Sequence, residues 1–236
     1  MNRRNFLLIV GATLALPAFA QSKPMKIGVI GSGRIGSTIG GLWVKAGHEL
    51  MFSDRDPDQV KRAIEGLGPE LRSKARSGSV PEAVAFGDAV LIAVPYGALP
   101  AIQQQVGAQL KGKVVIDPNN PVPSRDGELG AQAREKGAGV SSAALLPGAR
   151  IVRAFNSWGY GLMAREANRP APRMALPVAA DDAEALKLGM QLVSDAGFDP
   201  VAAGTLAASK AFDLGSSVSG RVLTAPEMRQ ALQLKP

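Results

Sequence analysis

The chain has 236 residues, 46% of them hydrophobic, which is enough for one full core and a small appendage. It holds no cysteine and a single histidine, His48, which excludes disulfides, thiolate catalysis, Cys-ligated zinc and a multi-histidine metal site, so no metal is expected. The formal charge of +7 comes without a dense Lys/Arg block, which argues against nucleic acid as a partner and suits a phosphorylated small molecule.

Residues 1–20 read as a leader outside the fold. Asn2-Arg3-Arg4-Asn5-Phe6-Leu7-Leu8 has the form of a twin-arginine export motif. The adjoining apolar run, residues 6–19, is broken by Gly11 and Pro17 and is too short for a membrane span. Ala18-Phe19-Ala20 offers a small-x-small cleavage site before Gln21. The expectation is passage through the twin-arginine export machinery, cleavage near Ala20 and a periplasmic or otherwise exported mature protein. An uncleaved anchor and a start at Met25 are the alternatives.

Residues 26–41, KIGVIGSGRIGSTIGG, organise the rest of the chain. Residues 26–30 read as a buried strand running into Gly31-Ser32-Gly33-Arg34-Ile35-Gly36 and then a helix over about residues 34–46. In this G-x-G-x-x-G pattern the first glycine permits a tight turn. The second lets the backbone approach a pyrophosphate, and the third lets helix and strand pack closely. The helix N-terminus adds free N–H groups and the positive end of the dipole. The expectation is a dinucleotide cradle on Gly31, Ser32, Gly33, Arg34 and Ile35, with a domain of the same build that has lost its ligand as the alternative. Ile35, Ile39, Leu42, Trp43 and Ala46 should face the sheet, and Gly47 closes the helix. His48 then takes a solvent-facing or hydrogen-bonding role, away from the cofactor mouth.

Residues 49–53 read as the second strand, ending in Ser53-Asp54-Arg55-Asp56-Pro57. An acid at this end accepts hydrogen bonds from an adenosine ribose, whereas Arg and Ser hold a 2′-phosphate; Asp54 and Arg55 therefore point in opposite directions. Asp56-Pro57 is a helix start. Residues 74–77 form a short strand, and Ser79-Val80-Pro81-Glu82 a capping box opening a helix to Phe86. Residues 88–94, DAVLIAV, read as a buried strand whose end brings Val94, Pro95 and Tyr96 to the cleft. A helix over residues 98–110 comes next, then a strand at 113–117 that delivers Pro118-Asn119-Asn120-Pro121 to the same edge. Those two amides either hydrogen-bond a nicotinamide carboxamide or substrate carbonyl, or satisfy their own loop. Residues 124–129 read as a surface loop or lid in which Asp126 and Glu128 are solvated. Residues 141–146 read as a helical turn, 151–155 as a strand ending at Asn156, and 174–180 as a seventh strand. Asp181-Asp182-Ala183-Glu184 starts a helix with Leu186, Met190 and Val193 buried, residues 198–202 form a further strand, and Thr224-Ala225-Pro226-Glu227 caps a final helix.

The order of these segments — KIGVIGSGRIGSTIGG, VLIAVPYGALP, KVVIDPNNPVPSRDGE, PGARIVRAFNSW and DAGFDPV — resembles the deazaflavin (coenzyme F420)-dependent NADP oxidoreductases. That Rossmann domain is shared with the STEAP-type metalloreductases and with the N-terminal part of pyrroline-5-carboxylate reductase. The resemblance implies an α/β fold, a Rossmann-type doubly wound, mostly parallel sheet extended by C-terminal strands and helices. The expected division is a dinucleotide-binding domain over residues 25–156 and an α/β extension, 157–236, packed on the same sheet. It further implies that Gly31, Ser32, Gly33, Arg34 and Ile35 bind the pyrophosphate, and that Ser53, Asp54 and Arg55 face the 2′-phosphate. Val94, Pro95 and Tyr96 then line the cleft, and Asn119 and Asn156 lie near the nicotinamide. Asp54 departs from the family pattern, a small neutral residue before the Ser-Arg pair. The expected function is hydride transfer from NADPH to a flavin, a deazaflavin or a small carbonyl acceptor, with NADP(H) favoured over NAD(H) and a homodimer as the default assembly. The alternative is an exported dinucleotide-binding accessory or sensing protein without turnover. No His, Cys or Lys stands out as catalytic, and nothing in the sequence ties Lys210 or Asp213 to the cleft.

Overall fold

The structure, a computed structural model, describes residues 23–234, so the twin-arginine-type segment lies outside the described residues. Eight strands form one sheet: β1 (Lys26–Ile30), β2 (Glu49–Ser53), β3 (Ala75–Ser77), β4 (Ala89–Ile92), β5 (Val114–Asp117), β6 (Arg150–Arg153), β7 (Ala175–Ala180) and β8 (Asp199–Ala202). Their order is β3-β2-β1-β4-β5-β6-β7-β8. Every neighbouring pair is parallel except β6 and β7, which run antiparallel and pair only through Val152–Ala180 and Arg153–Ala179. This is the doubly wound, mostly parallel α/β sheet expected, with its order reversing between β1 and β4. In such sheets ligands collect at that reversal, outside the C-terminal strand ends.

The helices are α1 (Arg34–Lys45), α2 (Pro57–Glu65), α3 (Val80–Phe86), α4 (Leu99–Leu110), α5 (Pro123–Lys136), α6 (Ala138–Leu145), α7 (Tyr160–Glu166), α8 (Ala183–Asp195) and α9 (Ala225–Ala231). Among the described residues no helix is long and apolar enough to cross a membrane. The caps fall where the side chains demand. Asp56 accepts from Asp58 N with Pro57 in the first turn, and Ser79 and Thr224 close reciprocal boxes with Glu82 and Glu227.

Two apolar layers sandwich the sheet. One is built around Trp43, Phe52, Phe155 and Phe198, the other around Leu99, Val106, Leu146 and Ile151. Trp43 meets Phe155 edge-on with ring centroids 5.9 Å apart, and its Nε1 donates to the Leu192 carbonyl at 2.8 Å, tying α1 to α8. His48 takes the hydrogen-bonding alternative. It is fully buried at the N-terminal edge of the sheet, where Nδ1 accepts from Met25 N and Nε2 lies 3.1 Å from Asp195.

Several expectations are corrected. The stripes of α1 and α8 are displaced by small residues on which the helices press against the sheet. A Cβ on Gly40 would lie 2.7 Å from the Phe52 ring, and one on Gly189 2.4 Å from Val152. Gly36, Gly40 and Val44 are therefore buried in α1 while Ile35 and Ala46 are half-exposed. In α8, Ala185, Gly189 and Leu192 join Val193 while Leu186 and Met190 are half-exposed. The stretch 124–129 is not a loop but part of α5, started by Pro123 and bent at Gly127, whose φ of 60° leaves the helical region. Strands β4 and β6 end two residues earlier than expected, the latter because Phe155 turns the chain at φ 63°.

Gly28 sits mid-strand because α3 crosses directly over it: an added Cβ would lie 2.1 Å from the Ala83 carbonyl oxygen. Gly28→Ala is expected to cost about 2 kcal/mol or more through overpacking, read as a lower urea midpoint at unchanged slope; an unchanged midpoint refutes this packing account.

Candidate active site

The turn after β1 is held by its own protein neighbours. Gly31 N donates to Ser53 O at 2.8 Å, and Gly31 adopts φ +93°, with room for a Cβ denied by the Ala93 carbonyl at 2.2 Å. A Cβ on Gly36 would lie 1.9 Å from Gly31 O. The first and third glycines are thus required by the protein's own packing. Gly33 is different. Its φ is −63°, open to any residue, and the nearest protein atom to its Cβ position is Gln59 Oε1 at 3.5 Å. The space before Gly33 is vacant of protein, which is what a close backbone approach to a phosphate requires. Gly33 also caps α1, and neither a capping side chain nor an acid in the first turn competes for the helix N–H groups.

Two clefts meet at this turn. A smaller one of about 370 Å³ is lined by Gly31, Gly33, Asp54, Arg55, Gln59 and, from the β4 end, Val94 and Pro95. A larger one of about 600 Å³ has Gly33, Arg34, Ile35, Asn119, Asn156 and Trp158 among its walls, and it too includes Val94 and Pro95. Gly33, Ala93, Val94 and Pro95 belong to both. Together they make a two-chambered groove with a helix N-terminus at its waist, the shape that takes a dinucleotide by its pyrophosphate.

In the smaller cleft the Asp54 carboxylate is held by three donors, Ser32 N at 2.7 Å, Ser32 Oγ at 3.2 Å and Asp56 N at 3.1 Å, while Arg55 is exposed beside it. In the larger cleft Asn119 Nδ2 donates to Ile92 O at 2.8 Å, Asn120 Nδ2 to Asn156 O at 2.6 Å and Asn156 Nδ2 to Phe212 O at 3.0 Å. These amides first stitch the strand-end loops together. The Oδ1 atoms of Asn120 and Asn156 are buried without a hydrogen-bond partner. No carboxylate, histidine or lysine lines this cleft among the described residues; its charged walls are Arg34 and Arg125.

The structure gathers most of the residues singled out in the sequence and turns others away. Ser32 is buried with both its donors given to Asp54, and Ser53 is 1% exposed behind the turn, outside both clefts. Tyr96 is fully buried under α6, its hydroxyl donating to Ala138 O and accepting from Ser142 Oγ, both at 3.2 Å. The chain turns through a short 3-10 segment after Pro95, and that rotation points the ring into the core. Asp126 is not solvated, since its carboxylate is 1% exposed and accepts from Val122 N at 2.8 Å and Gly97 N at 3.1 Å. Burial opposes its charge, but these bonds and the Arg125 guanidinium outweigh that and hold it below the ordinary carboxylate value. Sequence reasoning missed Arg125, Ser157, Trp158 and Leu214 in the larger cleft. It also missed Arg153 beneath it, which carried no signal beyond standing at a strand's end.

Residues 26–121 match the family model described as NADP oxidoreductase, coenzyme F420-dependent. A relative, the F420-dependent NADP reductase of Methanothermobacter thermautotrophicus, is 29% identical over 180 residues, covering 71% of this chain and 75% of its own. Among solved structures, the hypothetical protein SMa0349 from Sinorhizobium meliloti is 25% identical with a TM-score of 0.70, over 87% of this chain and 98% of that one. A putative F420-dependent NADP-reductase from Arthrobacter sp. FB24, 21% identical with a TM-score of 0.59 over 79% of this chain and 87% of that one, shows likeness of fold.

Burial pushes the Tyr96 phenol up to about 12, with the Asp117 charge adding and the Ser142 hydrogen bond and Arg153 charge opposing. The neutral phenol is thus favoured by folding. Its contribution is full below the ordinary value of 10.0 and is lost as pH rises toward 12. An ultraviolet difference titration of the folded protein should show a late step that Tyr96→Phe removes; no change in the titration would place the ring elsewhere. The likeness of this chain, carried by its glycine turn and strand-end loops and matched over the first five strands, is to the coenzyme F420-dependent NADP oxidoreductase family.

Proposed function

We propose that this protein is an NAD(P)H-dependent oxidoreductase. It binds the dinucleotide with the pyrophosphate on the N–H groups from Gly33 into α1, the adenosine in the smaller cleft and the nicotinamide in the larger. The observation that carries the reading is Gly33, a glycine that no protein contact requires, set at the waist of the groove. A bound nicotinamide supplies hydride chemistry, which needs orientation rather than a side-chain acid or base. The walls of the larger cleft agree with that. Ile35, Val94, Pro95, Trp158 and Leu214 offer apolar contact to a flat ring, and Arg34 offers positive charge to an anionic substituent, while the Arg125 charge is taken up by Asp126. The acceptor in this reading is a small, planar redox molecule of the flavin or deazaflavin type, in keeping with the names of the relatives. NADP(H) has the support of those relatives and of Arg55; Asp54 works against a 2′-phosphate. The reading includes export, supported by Arg3-Arg4, because twin-arginine machinery carries folded proteins and with them a bound nucleotide.

Gly33→Ala tests the reading directly. The open space predicts folding within about 1 kcal/mol of the parent. The same methyl group should weaken NADPH binding, followed by dihydronicotinamide fluorescence, by about tenfold or more, since it occupies the phosphate's approach. Equal NADPH affinity in the variant, or no binding of NADPH or NADH by the parent, overturns the proposal. At the adenosine end, Asp54→Ser should raise NADPH affinity by about tenfold and Arg55→Ala lower it by as much. If neither change alters the preference between NADPH and NADH in paired titrations, the ribose lies elsewhere. Oxidation of bound NADPH by added FMN or a deazaflavin separates turnover from binding alone.

A further inference from the structure

Arg153 is a fully buried charge beneath the larger cleft. It pairs with Asp117 across the β5–β6 register and with Asp213 from the chain beyond β8. Nη1 donates to Asn119 O at 2.7 Å and to Asp117 O at 3.0 Å, and Nη2 donates to Asp213 Oδ1 at 2.8 Å. Asp117 Oδ2 is 3.1 Å from Nη1, in ion-pair range but off the axis of an N–H, so that bond is electrostatic rather than directional. Burial works against the guanidinium charge, and the Asp117 and Asp213 carboxylates outweigh it, so the group is held protonated above its ordinary value. Asp213 is in turn fixed by Ala138 N at 3.0 Å, and the preceding residue, Phe212, offers its carbonyl to Asn156 Nδ2 at 3.0 Å and Ser157 Oγ at 2.6 Å. The fold makes room for this arginine at a cost in side chains. A Cβ on Gly139 would lie 2.8 Å from Arg153 Cγ and 2.5 Å from Ser209 Oγ.

One guanidinium therefore grips the loop that carries Asn119 and Asn120 from below. Through Asp213 it also grips the segment on which Asn156 and Ser157 hang. Those two loops are the far wall of the larger cleft. Among the described residues, no side-chain hydrogen bond of this network reaches a residue that lines the smaller cleft. Relying on the dinucleotide reading above, we propose that Arg153 and Asp213 are positioning residues of the nicotinamide half alone: they set the two asparagine loops against the ring and leave adenosine binding untouched. Neither side chain lines the cleft itself, so they act through the loops.

The test compares two ligands on the full chain, NADPH and 2′-phospho-ADP-ribose, which lacks the nicotinamide. Asp213→Ala is the principal variant, because its carboxylate lies at the edge of the network with its side chain 17% exposed; Arg153→Lys, which keeps the charge but not the fork, is the second. Both should leave 2′-phospho-ADP-ribose affinity within about twofold. Both should lower NADPH affinity by about tenfold and reduce the fluorescence enhancement of bound NADPH, because a loosened wall no longer orders the ring. Asp213→Asn, which keeps an oxygen facing Arg153, should recover part of the loss. Equal loss for both ligands, in step with a lower melting temperature, makes the network merely structural and overturns the proposal, as does unchanged NADPH binding. For a parent that prefers NADH the same pair is NADH and ADP-ribose; if the parent protein binds none of the four, the dinucleotide reading fails first, and this one with it.

Discussion

The contact on which the rest depends is between two glycine backbones. Gly36 sits so close to the Gly31 carbonyl that no side chain fits between them. That contact drives the start of α1 onto the end of β1, at the point where the strand order reverses. Gly31 is simultaneously pressed against the Ala93 carbonyl at the end of β4. The helix N-terminus, with roughly half a positive charge, is thereby fixed between two strand ends rather than left in solvent. Each chamber of the groove is defined by which side of this contact it lies on: the β2 end with Asp54 and Arg55 on one, the β5 and β6 loops on the other.

The chain after β6 completes the larger cleft, and the antiparallel strand explains how. β7 pairs with β6 only near that strand's C-terminal end. The chain leaving β8 then passes beneath the start of α6 through Ala208–Phe212, reaches Asp213, and continues to Leu214, Ser219 and Gly220 on the cleft wall. Gly220 N closes the path by donating to Ser157 O at 2.8 Å. The family model lies over the first five strands and takes in the Asn119–Asn120 loop; the rest of the larger cleft's wall, from Val122 and Arg125 to Asn156–Gly159, Leu214, Ser219 and Gly220, lies beyond it.

What was legible in the sequence is what acts through local chemistry. The glycine spacing, the Asp56-Pro57 start and the two capping boxes are short-range devices, and each element they mark is present. What was not legible depends on partners distant along the chain. Tyr96 comes after Val94 and Pro95 in a strand-end segment, yet its ring is drawn under α6 by Ala138 and Ser142, more than forty residues on. Asp126 reads as a solvated acid in a polar run, but the N–H groups of Gly97 and Val122 converge on it. Arg153 is a charged residue inside IVRAF, and its meaning rests on Asp213, sixty residues later. Alternation and capping rules see none of these.

A buried ion triad is a poor way to gain stability, because desolvating three charges offsets most of what their attraction returns, and apolar replacements of similar shape are often as stable. The excess acid in Asp117–Arg153–Asp213 sharpens the point, since two carboxylates face one guanidinium. What the triad supplies that an apolar plug does not is direction. A guanidinium donates along fixed axes, so the Asn119 carbonyl and the Asp213 carboxylate are held at set angles to one another. The proposed hydride transfer between rings needs just such angular control and asks little else of side chains, which accords with a cleft wall free, among the described residues, of acids, histidine and lysine. On the proposed reading the polar chemistry lies one layer down, in groups that aim rather than react.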